Sequence, residues 1–188
     1  MDNKKQQENE SLILPILQRY YCSFKEKTYS EENNDTDVLM DIYGITPEQK
    51  RENRQYWGRE LGMIWQLIVT EICRNNCSNF SPALKMGNDE PCDLILGKDA
   101  IDTKYRIGSG DSGTLKKFKK YGQLLDDNGY CPILLLLRED NLSAAITACK
   151  TGGWTVLTGK DAFDYLYQQT GVDIYHLLKN QKGKYQLP

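Results

Sequence analysis

Asp93, Asp102 and Lys104 are charged residues in a stretch that otherwise patterns as apolar strands, CDLILGKDAIDTKYR over 92–106. A charge within a strand is costly when it is buried and unpaired. Strand side chains alternate, so Asp102, Lys104 and Arg106 share one face and Ile101, Thr103 and Tyr105 the other. Folding the hairpin back brings Asp93 near Asp102 or Lys104, according to which residues make the turn. Two carboxylates gathered in one place repel unless a cation joins them. Mg²⁺ is a hard ion that takes oxygen ligands, typically one or two carboxylates plus water and phosphate oxygens. Next to a phosphodiester it orients water, lowers the water's pKa and offsets growing charge. A lysine beside it steers or deprotonates the attacking water and stabilises the transition state. The Thr103 carbonyl can supply a further oxygen ligand. The set therefore suits metal-assisted hydrolysis. The same residues also read as a salt-bridged strand face, Asp102 paired with Lys104 or Arg106.

The elements that must position these residues are legible around them. Ser11–Phe24 reads as a short helix and Lys25–Asp37 as a polar loop. Thr46-Pro47-Glu48-Gln49 opens another helix, with Thr46 as N-cap, Pro47 at the first helical position and Gln49 closing a capping box. That helix, or a second one after a break at Gly58, continues with Leu61, Ile64, Trp65, Ile68 and Ile72 at helical spacing. Asn75–Asn88 is loop-like. Asp93–Leu96, a turn at Gly97-Lys98-Asp99 and Ala100–Ile107 form the hairpin. Thr114–Asp127 is a helix with Leu115, Phe118, Tyr121 and Leu125 on one face. Cys131–Leu137 is an apolar run of strand length, as expected for a strand covered on both sides. Asn141–Lys150, Trp154–Leu157 and Lys160–Gln169 follow as helix, strand and helix. This order predicts an α/β fold with a mixed central sheet flanked by helices.

Pro91-Cys92-Asp93, eight intervening residues, then Asp102-Thr103-Lys104 resembles the motif of the PD-(D/E)XK nucleases, with Cys92 inserted between the Pro and the Asp. The resemblance covers about residues 57–137. It implies a restriction-endonuclease-like αβββαβ core, with Asp93 and Asp102 as metal ligands and Lys104 as catalytic lysine. Glu60 matches the helix glutamate that some members add to the metal shell, with Glu71 as runner-up. The family further implies Mg²⁺ as cofactor, with Mn²⁺ as substitute. Among its members a type II restriction endonuclease is the nearest likeness. Such an enzyme cuts double-stranded DNA as a homodimer, two-fold symmetry matching a palindromic site, and acts in one system with a cognate DNA methyltransferase. Two other readings stay open: a structure-specific nuclease of repair, recombination or transposition, and a non-enzymatic DNA-binding protein with a degenerate site.

The segment behind the motif is basic. Lys116, Lys117 and Lys120 lie three or four apart on the expected helix, so two or three can face one way and neutralise phosphates. In the loop GSGDSG, Ser109, Asp111 and Ser112 are candidate DNA contacts or helix caps. The loop is not a phosphate-binding P-loop, since no Gly-Lys-Ser/Thr follows. Arg106 is expected to contact a phosphate or a guanine edge.

Composition bounds the rest. The 188 residues fit one domain with an appended arm, read here as an arm over 1–45 and a catalytic domain over 46–188. The net charge of −2 argues against a uniformly basic protein but leaves room for a local basic surface. The polar N-terminus lacks the apolar core of a signal peptide, and the apolar run Ile133–Leu137 is too short to span a bilayer. A cytoplasmic protein is expected. Its six cysteines form no CxxC pair, so reduced thiols rather than zinc are expected. The three tryptophans read as core. Tyr20, Tyr21 and Tyr29 read as a dimer surface or DNA-facing arm, and His176 has no triad partner in view.

Overall fold

The computed structural model describes residues 14, 15, 18, 19, 21, 32–87, 89–108, 110 and 112–187, without the Ser112 side chain. Of the expected N-terminal helix, positions 14, 15, 18, 19 and 21 are helical, and Tyr21 is exposed. Tyr20 and Tyr29 lie outside the described residues, as do Ser109 and Asp111.

Five strands form one open sheet in the order β1-β2-β3-β4-β5, namely Phe80–Pro82, Leu94–Leu96, Asp99–Lys104, Cys131–Leu136 and Thr155–Thr158. The first three pair antiparallel, and β3-β4-β5 pair parallel. The helices are α1 Val38–Tyr43, α2 Pro47–Glu52, α3 Arg54–Asn76, α4 Ser112–Asp127, α5 Ser143–Thr151, α6 Lys160–Thr170 and α7 Ile174–Lys179. The fold is α/β, with a mixed sheet flanked by helices on both faces. Among the described residues no helix is long and apolar enough to cross a membrane.

Two apolar clusters cover the two faces of the sheet. On one, Leu61, Trp65, Val69 and Cys73 of α3 pack with Leu94, Leu96, Ile101 and Leu135, joined by α1, α6 and α7. On the other, Phe118 and Leu125 of α4 and Ala145 and Cys149 of α5 pack with Ile95, Ala100, Leu134 and Leu136. The buried run of β4 is covered from both sides, which is why it is continuous rather than alternating. Trp65 and Trp154 are buried, each donating its indole N–H to a backbone carbonyl, Leu135 at 3.3 Å and Phe118 at 2.8 Å. Trp57 packs half-buried against the first cluster. Leu39, Met40 and Ile42 of α1 are buried in that cluster too, so the expected boundary at residue 45 falls inside continuous packing.

Several boundaries differ from the expected ones for local reasons. The capping box forms as read, Gln49 N to Thr46 Oγ1 at 3.2 Å and Thr46 N to Gln49 Oε1 at 2.9 Å. The helix break falls at Asn53, whose side chain caps α3, and Gly58 lies within α3. Within the segment read as a loop, Phe80–Pro82 adds an edge strand; Pro82 is tolerated because an edge leaves one side of the backbone unpaired. The hairpin turn contains two residues, Gly97 and Lys98, since Leu96 pairs with Asp99. Gly97 has φ +62 and no other residue of the turn has positive φ, the pattern of a type II′ turn. That turn fixes the register, pairing Leu94 with Ile101; the ladder ends there, and Asp93 donates its N–H to the Ile101 carbonyl instead of pairing with Asp102.

Candidate active site

Asp93 stands one residue before β2, where the strand ladder ends. Its backbone N–H donates to the Ile101 carbonyl at 2.8 Å. Its carboxylate accepts three bonds: from the Thr103 N–H at 2.7 Å, the Thr103 hydroxyl at 2.6 Å and the Gln66 amide at 2.8 Å. Gln66 comes from α3, so the helix and the hairpin are joined at this carboxylate. Sequence reasoning missed Gln66. It lies four residues beyond Gly62, where a methyl would sit 3.7 Å from Tyr105, and residues four apart share a helix face; that face is set by packing, not marked in the sequence.

Asp102 and Lys104 project from β3 toward α4 and α5, as alternation predicts. The Lys104 ammonium donates to Asp102 Oδ1 at 2.8 Å, approaches Oδ2 at 2.7 Å, and donates to the Thr103 carbonyl at 3.0 Å. Burial pushes the Asp102 carboxyl up to about 6, opposed by Lys104, while the charge of Asp93 adds to the rise. Burial works against the Lys104 charge too, but Asp102 and Asp93 outweigh it and hold the ammonium above its ordinary range. Of the two carboxylates the lysine contacts Asp102, and the charge of Asp93 acts on both groups without contact. Two buried thiols border the same place: burial raises Cys92, and burial with the Asp102 charge raises Cys149 to about 11.

A hard divalent cation needs converging oxygen donors. Asp102 and the Thr103 carbonyl already share one cation, the Lys104 ammonium, and both are oxygen donors. Among the described residues no group of three or more His, Cys, Asp or Glu side chains converges. That is compatible with Mg²⁺, which is usually held by one or two carboxylates and keeps several waters. Asp102 and the Thr103 carbonyl are oxygen donors of the kind such an ion takes, while both oxygens of Asp93 are held by Thr103 and Gln66.

Other expected residues lie elsewhere. Glu60 pairs with Arg59 at 2.8 Å. At roughly 100° per residue it points about 200° away from Gly62, the residue that faces the sheet. Glu71 pairs with Arg74 on the exposed side of α3. Arg106 is a clear departure. β3 ends at Lys104, so alternation no longer governs it. Its buried guanidinium donates to the Asp140 carbonyl at 2.9 Å and lies 3.3 Å from the Asp140 carboxylate. Lys116, Lys117 and Lys120 lie on α4 as expected and are exposed. Lys117 is near enough to Asp102 to lower its pKa, so the basic helix adjoins the carboxylates.

A second polar cluster, unforeseen from the sequence, sits behind Tyr105. Arg138 is 5% exposed and binds Asp37 at 3.0 Å and Asp140 at 2.8 Å. Tyr105 donates its hydroxyl to Asp37, and Lys50, paired with Glu32, lies 4.5 Å from the Tyr105 ring. No buried side-chain N or O among the described residues lacks a partner, so the cluster is satisfied and fixes the backbone next to Lys104. The signal was Arg138-Glu139-Asp140 directly after the apolar run. A cleft of about 740 Å³ opens beyond it, lined by Asp37, Arg138, Asp140, Lys160, Tyr167 and Lys182 among others. That cleft does not contain Asp93, Asp102 or Lys104. Charges are paired in both places, Asp102 with Lys104 at the hairpin and Asp37 and Asp140 with Arg138 in the cleft.

No protein-family model matches the chain, and neither a curated protein nor a solved structure matches it.

Proposed function

We propose that the protein is a Mg²⁺-dependent endonuclease of double-stranded DNA, of the type II restriction kind, with Asp93, Asp102 and Lys104 as its active centre. One observation carries this reading: Lys104 holds its ammonium on Asp102 and the Thr103 carbonyl together, so a hairpin inside an α/β sheet presents a ready cation seat. The order of elements supports it. The run α3-β1-β2-β3-α4-β4 is the αβββαβ order implied by the PD-(D/E)XK resemblance, and the edge strand β1 supplies the strand the sequence reading lacked.

Bound Mg²⁺ would supply an activated water and offset charge on the scissile phosphate. The chain's own residues do the rest. Asp93, fixed on both oxygens by Gln66 and Thr103, and Asp102 would hold the ion with the Thr103 carbonyl. Lys104, released from that carbonyl, is placed to approach the phosphate and the attacking water. Lys116, Lys117 and Lys120 on the adjoining helix hold flanking phosphates. Two copies related by a two-fold axis would present one centre to each strand of a palindrome. Digestion of plasmid DNA in Mg²⁺ followed by mapping of the ends tests the reading. Discrete fragments support it, smears or cutting only at branches favour a structure-specific nuclease, and no cutting refutes both.

A further inference from the structure

The basic helix α4 is not bare. Beside its first two turns is an open hollow of about 420 Å³ lined by Asp89, Gly113, Lys116, Lys117, Lys120 and Tyr121. Among the described residues the acid that lines it, Asp89, comes from a different part of the chain, the segment that precedes the site hairpin. Asp89 Oδ2 accepts from the Lys120 ammonium at 2.6 Å and Oδ1 from the Tyr121 hydroxyl at 2.9 Å. The Tyr121 ring is also 5.1 Å from the Lys117 ammonium and 5.8 Å from that of Lys120. One carboxylate thus uses its two oxygens on a cation and a phenol, as two non-bridging oxygens of a phosphodiester would. These bonds lower the Asp89 pKa, so it is an anion at neutral pH.

The contact is built to be exchanged. Lys120 is 64% exposed and Asp89 34%, and exposed ion pairs stabilise little. The turn holding Asp89 is closed by one isolated bridge, Met86 with Asp89, with N–O distances of 2.9 and 3.1 Å. Lys117 lowers the pKa of both Asp89 and Asp102. The hollow, which Lys117 lines, is therefore on the side of α4 toward the proposed cutting centre.

We propose that Asp89 is an internal stand-in for a backbone phosphate, seated on Lys120 and Tyr121 and displaced when a nucleic-acid strand enters the hollow. The proposal rests on the reading of the protein as a DNA-binding nuclease. It gives Asp89 an autoinhibitory role: every productive phosphate contact at Lys120 first breaks the Asp89 pair, so weakly held DNA is rejected.

The test compares the wild-type chain with Asp89→Asn, with Asp126→Asn as a charge-matched control at the far end of α4, and with Asp89→Asn combined with Lys120→Gln. Binding of a labelled mixed-sequence duplex is followed by fluorescence anisotropy in EDTA across a salt series, and retention on heparin is measured in parallel. Asp89→Asn should bind the duplex several-fold tighter, with a log–log salt slope steeper by about one. Asp126→Asn should change neither quantity, and the double variant should lose the gain. Equal shifts in Asp89→Asn and Asp126→Asn, or no shift in Asp89→Asn with either probe, would overturn the proposal. Stronger heparin retention of Asp89→Asn alone, with no duplex bound by any variant, keeps the exchange at Lys120 and overturns the DNA reading instead.

Discussion

Lys104 and Asp102, two residues apart on one strand, form a contact in which the ammonium lies 2.7–2.8 Å from both carboxylate oxygens. The Asp102 side chain is 14% exposed, whereas that of Lys104 is 42% exposed. The acid is held in the protein, and the lysine can leave it. This asymmetry suits a site in which the acid keeps a cation and the lysine moves toward substrate.

Losing its partner should therefore cost more at Asp102 than at Lys104. Lys104→Met leaves a largely buried carboxylate without its cation and should lower stability by about 1–3 kcal/mol. Asp102→Asn leaves a lysine that reaches water and should cost less. The double variant should recover part of the Lys104→Met loss. Urea unfolding of the four proteins gives the coupling directly.

The Asp102 pKa sets a pH window. Its carboxyl is raised from 3.8 to about 6, so between those values the folded state holds a proton that the unfolded state has released. Stability from this group is thus fully present below about pH 4 and falls as pH rises toward 6. Wild type minus Asp102→Asn, measured by urea unfolding from pH 4 to 7, should decline by about 2–3 kcal/mol across that window and then level off. Acids with lowered pKa, such as Asp140, act in the opposite sense at lower pH and are common to both proteins. Mg²⁺ affinity should rise over the same window, because the ion competes with that proton.

Gln66 ties α3 to the Asp93 carboxylate at 2.8 Å. In Gln66→Ala one Asp93 oxygen loses its donor while Thr103 keeps the other. Metal affinity and cleavage should fall by about 10–100-fold with the fold retained, as for other groups that orient a ligand. Isothermal titration with Mn²⁺ beside a cleavage assay checks both.

Arg138 carries the cluster behind Tyr105. Arg138→Met leaves Asp140 with Arg106 and Asp37, 13% exposed, with only neutral donors, and should destabilise by about 2–4 kcal/mol. Removing the exposed pair Lys160–Asp164, where Lys160 is 80% exposed, should change stability by less than about 1 kcal/mol. Thermal unfolding of Arg138→Met and Asp164→Ala separates the two cases.

What could be read in advance followed periodicity and local capping. The Thr46–Gln49 box, the apolar β4 and the shared face of Asp102 and Lys104 all depend on near neighbours, and each is present. What was missed depends on lengths and phases that near neighbours do not set. Arg106 was placed by continuing an alternation that stops two residues earlier. Glu60 rather than Gln66 was taken from α3 because the side of a helix that meets the sheet is fixed by packing, here by Gly62 against Tyr105. β1 has three residues, one of them Pro82, too few to show a period. The short helix α1, Val38–Tyr43, is held by the Asp37 cap and by burial against distant residues.

The central claim, that Asp93, Asp102 and Lys104 make a cation-dependent cutting centre, is tested most directly by plasmid digestion in Mg²⁺ with wild type, Asp102→Asn and Lys104→Ala, each shown to be folded by circular dichroism. Wild type should give discrete fragments in Mg²⁺ and none in EDTA, and neither variant should give any. Undiminished cutting by Asp102→Asn or Lys104→Ala, or no cutting of any plasmid by folded wild type in Mg²⁺ or Mn²⁺, would contradict it.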